Sequence, residues 1–258
     1  MAKPESIPRT IPRQPEGAPI MAHLREMRDR LIKSIGALVV TTTAAFFFSD
    51  QIVDLLKRPA GDINLQAIEI TENLGVFFKV SLAGGLVLAM PVLIYQLFAF
   101  VAPALTSREK RYVFTILPFV VLMFLGGVAF AYFVALPPAM NFLVSFMSEQ
   151  AEVQIRISNY LDVVIRLILS VGLIFETPVV LMFMARMGLV TPQWLAARRK
   201  WWVIIAFIVA AIITPTFDPI NQSIIAIPLI LLLELSILLA RIVYKPRGRK
   251  PQNASSSD

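Results

Sequence analysis

The chain has 258 residues, 57% of them hydrophobic, and a formal net charge of +7 at pH 7. It has no cysteine and one histidine, His23, which excludes disulfides and thiolate chemistry, leaves no ligand set for haem or zinc, and argues against a Ser-His-Asp triad. The apolar residues come in long runs, which marks a polytopic membrane protein.

In chain order, residues 1–19 carry Pro4, Pro8, Pro12, Pro15 and Pro19 among polar and basic residues and read as a disordered leader without an apolar signal-peptide core. From Ile20 to Lys33, Leu24, Met27 and Leu31 recur at helical spacing. Arg25, Glu26, Arg28, Asp29 and Arg30 take the other side, so this stretch is expected to lie in the membrane interface. Arg25 with Asp29 and Glu26 with Arg30 stand at i,i+4, where such a pair contributes only tenths of a kcal/mol.

Six apolar runs follow, near Leu31–Phe48, Leu74–Ala104, Val113–Leu136, Leu161–Met187, Trp201–Pro215 and Ile220–Ala240. A crossing helix needs about 20 apolar residues, and the fifth run falls short. Pro91, Pro118, Pro178 and Pro228 interrupt the second, third, fourth and sixth runs. Each is expected to bend its helix, giving a curved, concave wall in place of a straight bundle. The fifth and sixth runs form a short hairpin through Thr214-Pro215-Thr216-Phe217-Asp218-Pro219. The tail, residues 245–258, is basic and then serine-rich and reads as disordered. One membrane domain over residues 20–244 is the expected organisation.

The cations set the orientation. All but five of the 24 lysines and arginines lie before or at the start of the first run, after the second, at or after the end of the fourth, or after the sixth. The exceptions are Lys57, Arg58, Lys79, Arg156 and Arg166. The positive-inside rule then puts both termini in the cytoplasm. Attraction to anionic lipid headgroups accounts for the basic charge, and no nucleic-acid partner is needed.

Several charges stand where charge is costly. Glu176 falls near the middle of the fourth run, within Ile174-Phe175-Glu176-Thr177-Pro178. It reads either as bonded to the carbonyl that Pro178 frees or as part of a functional polar patch. Glu234 lies nearer the cytoplasmic end of the sixth run, where helix pairing or snorkelling accounts for it. Asp162 and Arg166 are spaced for a local ion pair, and Glu72 and Lys79 share a helix face. Glu109, in the turn Thr106-Ser107-Arg108-Glu109-Lys110-Arg111, fits a capping box with Thr106 and is equally suited to receive a guanidinium bidentately.

These residues together resemble the TatC family, the multispanning receptor subunit of the twin-arginine protein translocase. His23-Leu24-Arg25-Glu26-Met27-Arg28-Asp29-Arg30-Leu31 is similar to the family's H-L-x-E-L-R-x-R-L, with Met27 for the usual leucine. The run Tyr95-Gln96-Leu97-Phe98-Ala99-Phe100-Val101-Ala102-Pro103-Ala104-Leu105 resembles the end of its second span. Glu109-Lys110-Arg111 is similar to its E-R-R, with Lys110 a like-charged departure. Ala129-Phe130-Ala131-Tyr132-Phe133, Phe175-Glu176-Thr177-Pro178 and Thr214-Pro215 with Asp218 and Gln222 follow in order.

The resemblance implies an all-α fold of six transmembrane helices in the bacterial inner membrane and a non-enzymatic role without cofactors. It implies binding of twin-arginine signal peptides at Glu26, Arg28, Phe100 and Glu109. Glu176 and Gln222 are implied as an intramembrane polar site for docking partners, Pro59 as shaping an outer cap, and Asp218 as a structural residue at the outer end of the short hairpin. The implied partners are small single-span proteins of the TatA/TatB type, other copies of the chain and membrane lipids, with the proton-motive force driving passage of folded cargo. A proton-coupled small-solute transporter using Glu176 and Glu234 is the alternative, yet the sequence has no clear internal repeat. An intramembrane enzyme is a weaker third reading, because paired intramembrane aspartates are lacking. Nothing resembles a P-loop, so no nucleotide site is expected.

Overall fold

A computed structural model describes residues 18–61, 65–101, 107–148, 155–214 and 218–244. The expected leader up to residue 17, the tail, the turn at residues 102–106 and the hairpin tip at residues 215–217 lie outside the described residues. The helices are α1 (Ala18–Phe47), α2 (Ser49–Lys57), α3 (Glu72–Val101), α4 (Ser107–Phe130), α5 (Leu136–Ser148), α6 (Ile157–Ile174), α7 (Thr177–Arg186), α8 (Pro192–Ala197), α9 (Arg199–Ile213) and α10 (Pro219–Val243). Two-residue strands, β1 (Leu65–Gln66) and β2 (Ile155–Arg156), pair in parallel.

Among the described residues, five stretches are long and apolar enough to cross a membrane: Leu24–Phe47, Glu72–Phe100, Thr115–Leu143, Ile157–Arg186 and Pro219–Val243. α9 has only 15 residues. At 1.5 Å per residue it reaches about 22 Å, short of a core of roughly 30 Å.

Three differences from the sequence expectation have local causes. The amphipathic stretch at Ile20–Lys33 is not a separate interfacial helix, because α1 runs unbroken from Ala18 to Phe47. No proline lies between Met21 and Phe47, so nothing stops propagation into the apolar run. The third span does not end at Leu136. It passes through a π-turn at Ala131–Ala135 and continues as α5. Pro137 and Pro138 have no N–H to return to the preceding turn, and the Leu136 N–H reaches the carbonyl of Ala131. The connection after the first span also contains α2, whose Val53 and Leu56 are buried.

α1 packs along α3, and α10 packs against α7 and α9. α4 and α3 both pack on α6. The main core gathers Val76 and Val80 of α3 with Leu161, Val164, Leu167 and Val171 of α6, and Val53 and Leu56 of α2 close it at one end. That end is called the capped end. The opposite end is where α3 stops and α4 starts.

Close approach depends on absent side chains. A Cβ on Gly85 of α3 would lie 2.5 Å from the Thr42 Cα of α1. A Cβ on Gly172 of α6 would lie 2.9 Å from the Phe124 ring of α4, and one on Gly127 would meet Phe175 at 2.8 Å. The α4–α6 crossing thus sits directly before the break that carries Glu176.

Candidate functional site

The antiparallel course of α1, α3 and α4 brings Glu26, Phe100 and Glu109 to the end opposite the cap. Glu26 stands 21 residues before the end of α1 at Phe47, about 31 Å along the axis. Phe100 is next to last in α3 and half-buried, and Glu109 lies in the first turn of α4. The Glu109 side chain and Thr106 are outside what is described, and so is the expected capping box.

Glu26 already holds a guanidinium. Arg30 donates to its Oε1 through Nε at 3.0 Å and Nη2 at 2.5 Å, with both side chains partly buried. This i,i+4 pair was expected. The other was not formed: Asp29 accepts from neighbouring Arg28, at 2.9 and 3.1 Å, and not from Arg25. Arg28 is therefore exposed and engaged locally.

Glu176 occupies a break in the fourth span. α6 stops at Ile174 and α7 starts at Thr177, with Pro178 in its first turn. Pro178 frees the carbonyl of Ile174, and the Thr177 hydroxyl donates to it at 2.6 Å. The hydroxyl of Thr177, and no bond from Glu176, is what meets the freed carbonyl among the described contacts. Glu176 is 6% exposed, and its Oε1 is buried with no hydrogen-bond partner among the described residues. A polar atom left so inside a membrane span is costly and calls for a partner or a proton.

The remaining candidates hold structural contacts. Pro59 sits in a 3₁₀ turn, Arg58–Ala60, which packs on α5. Asp218 caps α10, its Oδ2 accepting from the Asn221 N–H at 3.0 Å. Gln222 donates its side-chain N–H to the Phe207 carbonyl at 2.7 Å, which ties α10 to α9. Both therefore brace the short hairpin.

Residues to which the sequence analysis gave no role build the cap. Glu72 accepts the backbone N–H groups of Ile68 at 2.8 Å, Glu69 at 3.3 Å and Ser158 at 3.1 Å. Arg156 bridges Glu69 at 2.9 Å and Glu72 at 3.5 Å, and these carboxylates, Glu69 first, hold its guanidinium above its ordinary range. Tyr132 and Tyr160 donate to the Leu55 and Leu56 carbonyls of α2. Tyr132 stood inside a motif noted above, whereas Tyr160 and Arg156 carried no local signal.

The expected Asp162–Arg166 pair is also replaced. Asp162 reaches across to Lys79 of α3 at 2.5 Å, because α3 and α6 pack side by side there. Glu234 pairs with Arg199 of α9 at 2.7 Å, as helix pairing predicts. Among the described residues no group of histidine, aspartate and glutamate is placed to hold a metal ion.

Comparison with known proteins decides the family. The profile of the Sec-independent protein translocase protein (TatC) family matches residues 22–228. The chain belongs to the TatC family. It is 38% identical over 235 residues to the TatC protein of Aquifex aeolicus (strain VF5), covering 89% of this chain and 97% of that one. It is 35% identical to the TatCy protein of Bacillus subtilis (strain 168), with 93% of each covered. Two crystal structures of the twin arginine translocase receptor TatC superpose with TM-scores of 0.74 and 0.76 at 39% and 40% identity, covering 86% and 84% of this chain and 99% of each of theirs. The chain is thus a TatC component of the Sec-independent, twin-arginine protein translocase and a multi-pass membrane protein.

Proposed function

We propose that this TatC protein is the signal-peptide receptor of its translocase. Glu26 and Glu109, with Phe100 and Arg28 beside them, take the paired arginines of a signal peptide at the uncapped end, which is cytoplasmic. The observation that best supports this is the partly buried Glu26–Arg30 pair. It is a carboxylate already arranged for a guanidinium at the end where α3 and α4 meet. Guanidinium offers a planar fork to such an acceptor, and lysine cannot copy it. The likeness to the two solved receptor structures supports the same reading.

In this reading α9 is a sixth, short span, both termini are cytoplasmic, and the wall of helices is concave toward the membrane. The protein performs no catalysis and scaffolds TatA/TatB-type single-span partners and further copies of itself in the inner membrane. Glu176 contributes by offering an unsatisfied carboxyl oxygen inside the span, which a partner's polar group satisfies. The short α9–α10 hairpin thins the membrane beside it. Titrating the purified protein with an Arg-Arg signal peptide and its Lys-Lys counterpart tests the reading. Tight binding of the first alone supports it, and equal binding of both removes it.

A further inference from the structure

The cation left over at the α3–α6 seam is Arg166. On α6, Asp162, Arg166 and Ser170 follow at intervals of four and share one face. On α3, Lys79, Leu86 and Met90 share a face by the same periodicity. The two faces meet twice. Above, Lys79 binds Asp162 and lies 3.4 Å from the Ser158 hydroxyl. Below, Leu86 and Met90 line a cavity of about 180 Å³ with Leu169, Ser170, Leu173 and Phe124. Arg166 stands between these two meeting points.

Arg166 is exposed and has no ion pair or hydrogen bond among the described residues. It lies nine residues after Ile157, about 13 Å along the helix from the capped end. The seam holds two cations, Lys79 and Arg166, against one carboxylate, Asp162, and that carboxylate is taken by Lys79. An unpaired guanidinium at this depth is costly unless it finds an anion.

We infer that the α3–α6 seam is a binding site for an anionic phospholipid of the leaflet on the capped side. Its phosphate is held by Arg166, with Lys79 beside it, and one acyl chain runs inward over Leu86, Met90, Ser170 and Leu173. The order of groups along the seam carries this: cations toward the membrane surface, then an apolar cavity toward the centre. A phospholipid has the same order. Guanidinium takes a phosphate bidentately, and its long stem lets the charged head rise toward the headgroups. A net anionic headgroup matches the surplus cation better than a zwitterionic one.

The test is native mass spectrometry of the full chain released from mild detergent and titrated with phosphatidylglycerol, chain-matched phosphatidylcholine, or soluble glycerol phosphate. Phosphatidylglycerol is expected to bind with a defined stoichiometry and phosphatidylcholine more weakly. Arg166→Gln should lower phosphatidylglycerol affinity about fivefold, what one basic residue near a membrane surface contributes. Arg166→Lys should keep part of it. Leu173→Trp, which fills the cavity and leaves the cation, should also lower it, and Lys200→Ala at the other end should not. Circular dichroism of each variant checks that it is folded. Unchanged lipid binding by a folded Arg166→Gln overturns the inference. So does full competition by glycerol phosphate, which would show a free-anion site. Loss of a copurifying single-span partner with lipid binding intact would assign Arg166 to a partner's carboxylate and also overturn it. Signal-peptide binding is not read in any arm, so failure here leaves the receptor reading standing.

Discussion

The hydroxyl of Tyr160 on α6 donates to the carbonyl of Leu56 on α2 at 2.9 Å, and that bond is buried. Tyr132 does the same for the neighbouring Leu55 carbonyl at 2.8 Å, at an exposed position. Together they fasten α2 across the ends of two spans. Glu72 and Arg156 then close the cap from the side of β1 and β2. The cap is a built element of the fold with its own bonding.

Tyr160→Phe leaves the Leu56 carbonyl buried without a donor. It should cost about 1 kcal/mol, while Tyr132→Phe, at the exposed site, should cost less. Thermal unfolding in detergent gives the size. Hydrogen exchange should show the loss concentrated in α2. Uniform exchange across all spans would mean that the cap is not held separately.

Gly85→Leu should separate α1 from α3. Even a Cβ at Gly85 would meet the Thr42 backbone at 2.5 and 2.7 Å, where no side-chain rotation gives relief. Overpacking of this kind costs about 1–3 kcal/mol. A lowered unfolding temperature is expected. Wild-type stability would show that the two helices do not approach so closely.

Glu176→Gln and Thr177→Val should behave oppositely. Thr177→Val removes the donor to the Ile174 carbonyl and should weaken the fold at the break. Glu176→Gln touches an oxygen that has no partner, so the protein should stay folded while docking of single-span partners and export decline. Normal partner copurification and export by Glu176→Gln would remove the docking role.

The second, fourth, fifth and sixth apolar runs lie within a few residues of the observed helices, whereas α1 starts 13 residues before the first run and the third span continues past Leu136, because apolar length is local and helix propagation is not. The shortness of α9 was equally legible from Trp201 to Pro215. α2 was not, since nine residues in a connection between spans give too few turns for a clear period. β1 and β2 were invisible for a different reason: two residues each, paired across about 90 residues of intervening chain, leave no local pattern. The partner of Asp162 was misread because Arg166 is its neighbour on the helix, whereas Lys79 is its neighbour only once α3 packs on α6. Glu176 was legible as an oddity from its apolar surroundings. What the sequence did not show is that the Thr177 hydroxyl meets the carbonyl that Pro178 frees, a contact that depends on the break between α6 and α7.

Glu109→Ala should weaken Arg-Arg peptide binding much more than Arg108→Ala. Loss of a charge-assisted bidentate contact costs about 1.5–3 kcal/mol, which is tenfold or more in affinity. Fluorescence anisotropy with a labelled peptide measures both. Equal effects would leave Glu109 with the helix-capping role alone.

The most direct test places a photo-crosslinker beside Glu109 in the full-length protein and offers it an Arg-Arg signal peptide or its Lys-Lys counterpart. The receptor account predicts strong crosslinking of the Arg-Arg peptide, fading with Lys-Lys and lost in Glu26→Ala. Equal crosslinking of both peptides, or none to either in a folded protein, would contradict it.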